Sequence, residues 1–296
     1  MKPVAFIDLF SGLGGFTTGA INAGATCILS VDSWAEANKV HVANHPQVSY
    51  KTMELGHPSH WRMFKRIVEE YKELGYHVHI HGSPPCQALS TASMRNPEKG
   101  MPLVLWYLDL VERCEPDSWS MENVVPVRKR LPEGTPAVIL NSADFGVPQT
   151  RRRCYAGSGW YPQPTHINHK AYPHTVDKKS WVSVLEALPH LNFKLNLEAL
   201  GANANRSRDT KLSEPSKTIC GSGNQVGPRL FDHDTDKPQK VRSLTMPETL
   251  VLQGFPADYD MSAARTQKAR WTMIGNAVPP PVAEAVIRGI HHGIHN

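Results

Sequence analysis

Four short segments carry residues whose types and spacing can do chemistry. In GSPPCQ (82–87), Cys86 follows two prolines that stiffen its loop, which makes the thiol a candidate nucleophile; the alternative is a buried structural cysteine. SMENVV (120–125) sets Glu122 just past an apolar-flanked strand end. A carboxyl group in such partly dry surroundings tends to a raised pKa and can donate a proton near neutrality, although a plain capping role is open to it as well. In QTRRR (149–153), an extended backbone puts Arg151 and Arg153 on one face and Arg152 on the other. Two guanidiniums on one face suit a phosphate or a carbonyl. In DLFSGLGG (8–15), Gly12, Gly14 and Gly15 do not have the G-x-G-x-x-G spacing of a pyrophosphate cradle. A glycine turn against a strand end still lets a ligand approach the backbone, so the segment is either a nucleoside-binding turn or an ordinary β-turn-α connection.

These groups need elements to hold them. VAFIDLF (4–10) is a short apolar run leading through the glycine turn into a helical FTTGAINAG, and CILSVD (27–32) makes a second strand that ends on Asp32. An acid at that place is how βαβ units hold a ribose hydroxyl pair. Helices are expected over 34–43, 61–74 and 104–114, with strands at 77–81 and 118–121. This alternation predicts an α/β fold with a doubly wound, mostly parallel sheet. From 157 to 240 the texture changes to Gly, Pro, Asn, Ser and His, with SWVSVLEAL (180–188) as the one helical stretch, and helical patterns return in ETLVLQGF and PVAEAVIRGI. The expected division is therefore 1–156 with 241–296 as the large domain, and 157–240 as a small loop-rich insert.

Composition bounds the setting. The 296 residues are 40% hydrophobic and 20% charged, ordinary values for a chain with a sizeable core. No apolar run approaches the ~20 residues of a membrane span, and the opening residues lack a signal-peptide pattern, so a cytoplasmic protein without a membrane partner is expected. Five cysteines without a CxxC pair fit free thiols better than disulfides or a zinc site. His77, His79 and His81 alternate on one strand; packing beneath a helix is the expected role, and no metal is expected. The net charge is +5, and Lys and Arg cluster at 128–130, at 151–153, and at Arg206, Arg208, Lys211 and Lys217. Each cluster is either a solvated loop or a footing for a polyanion.

In order, DLFSGLGG, GSPPCQ, ENV, QTRRR, RSLTMPETLVLQGFP and GNAVPP resemble six motifs of the DNA (cytosine-5) methyltransferases, from Val4 to about Ile290 and sparing only the insert. The resemblance implies a Rossmann-like domain that binds S-adenosyl-L-methionine, with a target-recognition domain inserted between the Arg motif and LQGFP. It implies a monomer, prokaryotic or phage-encoded, that flips a cytosine out of double-stranded DNA and methylates C5. By position, Cys86 then adds to C6, Glu122 meets N3, and Arg153 with Arg151 holds O2 or the neighbouring phosphate. The cofactor set carried over is Phe10, Ser11, Gly12, Leu13, Gly14, Gly15, Asp32, Ser33, Trp34, Glu54, Pro85, Leu103, Asn276, Ala277 and Val278. The DNA set is Gln87, Ser90, Arg206, Arg208, Lys217, Thr218, Asn224, Gln225 and Arg229. Asp32 stands for the family's usual Glu, Ser33 for a bulky residue with Trp34 one position on, and Leu89 for a common Phe. The stretch from Glu122 to Gln149 is short, so a helix, with or without a strand, is expected to be missing there. An RNA cytosine-5 methyltransferase and a silent DNA-binding relative are the alternatives.

Overall fold

A computed structural model describes residues 2–85, 100–191, 195–198, 209–221, 229–232 and 239–292. The chain forms two compact units, one of residues 1–140, 153–163 and 283–296, the other of 141–152 and 164–282.

The first unit holds a seven-stranded sheet. Its order is β3 (Tyr50–Thr52), β2 (Thr26–Asp32), β1 (Val4–Leu9), β4 (His77–Gly82), β5 (Ser118–Asn123), β8 (Arg152–Ser158) and β6 (Ala137–Asn141). The five strands from β3 to β5 are parallel, and β8 runs antiparallel to β5. Side chains alternate across each strand, and the two faces are filled differently. Ala5, Ile7, Leu9, Val78, Ile80 and Met121 enter one core with Phe64 and Val68 of α3 (Trp61–Glu73) and Val104, Tyr107 and Leu110 of α4 (Met101–Cys114). Phe6 and Asp8 point the other way, to Phe16 and Thr17 of α1 (Gly15–Asn22). Burying each such apolar side chain contributes about 1.5–3 kcal/mol, so the alternating pattern of β1 is enough to set both faces of its strand. The doubly wound, mostly parallel sheet is as expected, and α2 (Ala35–Asn44) follows β2 as the spacing requires. Between Glu122 and Gln149 the shortening falls on the helix: a 3-10 turn over Val125–Arg130 stands there, while a strand, β6, is kept.

The second unit contains β7 (Gln149–Thr150) paired with β13 (Ser216–Lys217), β9 (His166–Ile167) paired with β10 (Lys179–Ser180), and an antiparallel sheet. That sheet runs β12 (Asp209–Lys211), β11 (Leu195–Glu198), β14 (Arg229–Asp232), β15 (Gln239–Ser243). Its helices are α5 (Val184–Ala187), α6 (Met246–Gln253) and α7 (Gln267–Asn276); α8 (Pro280–His292) begins in this unit and continues in the first. This division differs from the one expected at 156 and 240. Val184, Leu188, Leu212, Ile219 and Leu230 share one core with Leu244 and Leu252, so α6 packs with the loop-rich residues rather than apart from them. Glu248 anchors that joint. It accepts both guanidinium nitrogens of Arg242 (2.7 and 2.8 Å), His190 Nε2 (2.7 Å) and the Thr245 amide (2.7 Å). Burial raises its pKa, yet these donors outweigh burial and hold it at about 2. Among the described residues no helix is long and apolar enough to cross a membrane.

Candidate active site

In the first unit the glycine turn and the end of β2 close on one another. Phe10 (φ 58°), Gly12 (φ 53°) and Gly14 (φ 95°) take the left-handed backbone that lets the chain reverse in so few residues. The Gly14 amide donates to the Ser11 carbonyl (2.9 Å) and the Ser11 amide to Val31 (3.2 Å). Asp32 is the keystone: Oδ2 accepts from the Gly12 amide at 2.8 Å and Oδ1 from the Trp34 amide at 2.7 Å, each oxygen keeping a second lone pair. Two features of the turn are unspent. The space a side chain at Gly12 would fill is clear of atoms to 4 Å, and the buried Ser11 Oγ has no hydrogen-bond partner among the described residues. An open backbone, an unused hydroxyl and a carboxylate that can still accept make a set of polar groups that fits a nucleoside. Around them, Phe10 meets the Trp106 edge at 6.0 Å, Leu103 packs on Gly56, Trp34 caps α2, and Ser33, Glu54 and Pro85 are exposed.

The carboxyl end of β5 holds the second group. Glu122 is 7% exposed and stands 3.1 Å from Arg153 Nε of β8, an ion pair in which Glu122 Oε1 makes no aligned hydrogen bond among the described residues. Asn123 donates to the Pro84 carbonyl at 3.1 Å, tying the loop that leaves β4 to the end of β5. Cys86, Gln87 and Ser90 lie outside the described residues, as do Arg206, Arg208, Asn224 and Gln225. Of the other cysteines, Cys27, Cys114 and Cys154 are buried thiols, pushed up by burial (Cys114 to about 12, Cys154 to about 11), which keeps them protonated and inert. Five of the six ring nitrogens of His77, His79 and His81 meet the hydroxyls of Ser118, Ser120 and Ser83.

The second unit assembles the remaining motifs through two glutamines that sequence reasoning passed over. Gln149 Nε2 donates to the Leu252 carbonyl (3.0 Å) and to Gln253 Oε1 (2.8 Å), while its Oε1 accepts the Ile219 amide (2.9 Å). Gln253 Nε2 in turn donates to the Ala277 carbonyl at 2.8 Å. QTRRR, LQGFP, the Ile219 segment and Asn276-Ala277-Val278 are thus one network, with Gly221 packed directly on Gly275. The presence of Gln in both QTRRR and LQGFP was the available signal. Arg151 is 2% exposed and donates to the Ile219 carbonyl at 3.0 Å. Arg153, for its part, pairs with Glu122. Thr218 Oγ1 donates to the Thr150 carbonyl (3.0 Å), Lys217 ends β13, and Arg229 opens β14.

The family model for C-5 cytosine-specific DNA methylase matches residues 4–131 and 134–292. The type II methyltransferase M.HindV of Haemophilus influenzae is 29% identical over 305 residues, covering 96% of this chain and 95% of that protein. M.HpaII of Haemophilus parainfluenzae is 28% identical over 353 residues, with 98% and 90% covered. Among solved structures, the Dnmt2 methyltransferase of S. pombe superposes with a TM-score of 0.62 at 17% identity over 99% of both chains, a likeness of fold.

Proposed function

Since the chain belongs to the C-5 cytosine-specific DNA methylase family and is a DNA cytosine-5 methyltransferase, we propose that it acts through a covalent adduct between Cys86 and C6 of a flipped-out cytosine. C5 of cytosine is a poor nucleophile, and a thiolate adding at C6 turns it into the carbon of an enamine. That addition pushes negative charge onto N3 and O2. Glu122 meets N3 and shares a proton with it; Arg153, already beside Glu122, stabilises O2. Arg151, spent on the Ile219 carbonyl, contributes by holding the strand ends that present Arg153. None of these atoms is reachable inside a duplex, so the base is extruded at a cost of a few kcal/mol. S-adenosyl-L-methionine, when bound, supplies an electrophilic methyl group. Residues 10–15, Asp32 to Trp34, Glu54, Pro85 and Leu103 form its seat in the first unit. Duplex DNA is read by the insert, with Lys217, Thr218 and Arg229 among its contacts, and the protein works as a monomer.

The Glu122–Arg153 pair at the end of β5 supports this proposal, because an acid beside a cation is the chemistry that charge developing on N3 and O2 calls for. The test is methyl transfer from labelled S-adenosyl-L-methionine to unmethylated duplex DNA, with tRNA as the competing acceptor and 5-fluorocytosine DNA as the trap. Wild type is expected to label duplex DNA and to form a stable adduct with the trap; Cys86→Ala is expected to do neither. Methylation by Cys86→Ala, or a wild type that forms no adduct, sinks the mechanism.

A further inference from the structure

Beyond β5 the chain makes a 3-10 turn over Val125–Arg130 and leaves it through Leu131 in extended backbone (φ −64°, ψ 147°). Apolar residues fix this turn to the first unit. Val127 is fully buried in the core that holds Met121 and Ala156, its amide donates to the Val124 carbonyl (3.0 Å), and Val124 and Leu131 pack against the same core. The next three residues, Arg128, Lys129 and Arg130, are exposed. They have little acid nearby in the chain, since Glu133 is the one carboxylate between Glu122 and Leu140. Among the described residues, no ion pair involves any of the three.

The turn adjoins the pair formed by Glu122 and Arg153. Asn123, the last residue of β5, stands opposite Cys154 of β8, which directly follows Arg153. Burial raises the Cys154 thiol and the Arg128 guanidinium works against that rise, so the charge of Arg128 is felt at the same strand ends that hold Glu122 and Arg153. Three adjacent cations repel one another and favour a polyanion as their counterion. A turn already held by Val127 and Leu131 also loses little freedom on binding one. A 3-10 backbone advances about 2 Å per residue, and one DNA strand offers a phosphate about every 3.4 Å of helix axis, so three long basic side chains suit two or three successive phosphates.

We infer that Arg128, Lys129 and Arg130 form a phosphate grip on the first unit, holding the backbone of duplex DNA beside the extruded cytosine and separate from the insert. The inference rests on duplex DNA being the substrate, as proposed above. Phosphates carry no sequence information, so the grip supplies affinity and register and leaves the choice of sequence to other residues.

Binding to two duplexes, genomic DNA fragments and an alternating dA–dT duplex that contains no cytosine, is measured between about 50 and 200 mM salt. The triple variant Arg128→Gln/Lys129→Gln/Arg130→Gln is compared with Lys39→Gln/Arg62→Gln/Arg66→Gln, which removes the same charge from exposed positions on α2 and α3. In the first variant the slope of log affinity against log salt is expected to be shallower by about 2–3, since each phosphate contact contributes about 0.9. Affinity at about 100 mM salt is expected to fall at least tenfold on both duplexes alike. The α2–α3 variant is expected to change the slope by less than about 1. Methyl transfer at saturating genomic DNA is expected to stay within about twofold of wild type, so that KM rises while kcat holds. Lys129→Glu is expected to weaken binding more than Lys129→Gln, a comparison at one exposed position that leaves the buried Val127 anchor in place. An unchanged slope, an equal loss in the α2–α3 variant, or a loss confined to the cytosine-containing duplex overturns the grip. A wild type that binds and labels tRNA but not duplex DNA overturns the underlying reading, and the grip with it.

Discussion

Glu122 and Arg153 show how much one contact constrains. A carboxylate at 7% exposure is costly unless a cation is near, and Arg153 Nε at 3.1 Å provides one without donating an aligned hydrogen bond to Oε1. Glu122→Gln keeps the shape and removes the charge and the transferable proton. Single-turnover methyl transfer is expected to fall about 10²–10³-fold while S-adenosyl-L-methionine affinity stays within threefold of wild type. A rate within a factor of about three of wild type would show that N3 is met by some other group. Glu122 was legible because a strand-end position is visible in SMENVV. The fate of Arg151 was not, because face alternation assumes one continuous strand, whereas β7 stops at Thr150 and β8 starts at Arg152. The residue between them is drawn into the second unit's interior.

The glycine turn belongs to the scale of elements, where backbone conformation and neighbouring packing act together. Gly14 has φ 95°, and a side-chain carbon there would stand 2.8 Å from the buried His41 ring of α2. Gly24 has a similar φ of 89° with nothing within 4 Å. Gly24→Ala is expected to cost only the left-handed backbone strain, about 1–2 kcal/mol. Gly14→Ala adds an overlap that a buried ring cannot relieve, so a loss of about 3–4 kcal/mol is expected, together with loss of cofactor binding. Thermal unfolding and calorimetric titration with S-adenosyl-L-methionine check both; equal costs at the two positions would show that His41 yields. The three glycines were legible as a turn. The imidazole beneath Gly14 was not, since nothing local in the sequence brings α2 under that turn. The glutamine network is similar: Gln149 and Gln253 are far apart in the chain, and only the meeting of β7 with α6 pairs them.

For the whole molecule, buried titratable groups set the acid limit. His41 and His79 are pushed to about 3 and His81 further, each by burial first and a neighbouring histidine second. Their unfolded counterparts take up protons below 6.5, so the stability they give is full above 6.5 and is lost as pH falls. Asp8 works in reverse. Burial raises it from 3.8 to about 7 despite the Thr17 hydrogen bond, so its contribution is full below about 4 and is lost as pH rises to 7. Three imidazoles against one carboxyl leave the unfolded chain about two protons ahead, so stability is expected to fall by about 2–3 kcal/mol per pH unit between pH 6 and 4.5. Urea unfolding at pH 7.5, 6 and 5 measures this slope, and Asp8→Asn is expected to steepen it. A flat profile would mean that water reaches these rings.

Motif order, strand alternation and the glycine turn already determined the family, the doubly wound sheet and the residues at its carboxyl edge, because each depends on a local pattern a few residues long. The limits of the second unit, the partners of Arg151 and the His–Ser hydrogen bonds depended on which distant segments pack together. Loop-rich texture marks an insert but not the core it shares: Leu244 and Leu252 pack with Val184 and Leu230 because apolar surface is buried wherever it is nearest in space, regardless of where composition changes along the chain. Likewise, three alternating histidines were open to metal binding or to packing. The register of β4 on β5 brings Ser118 and Ser120 opposite them, so that five of the six ring nitrogens meet the hydroxyls of Ser118, Ser120 and Ser83.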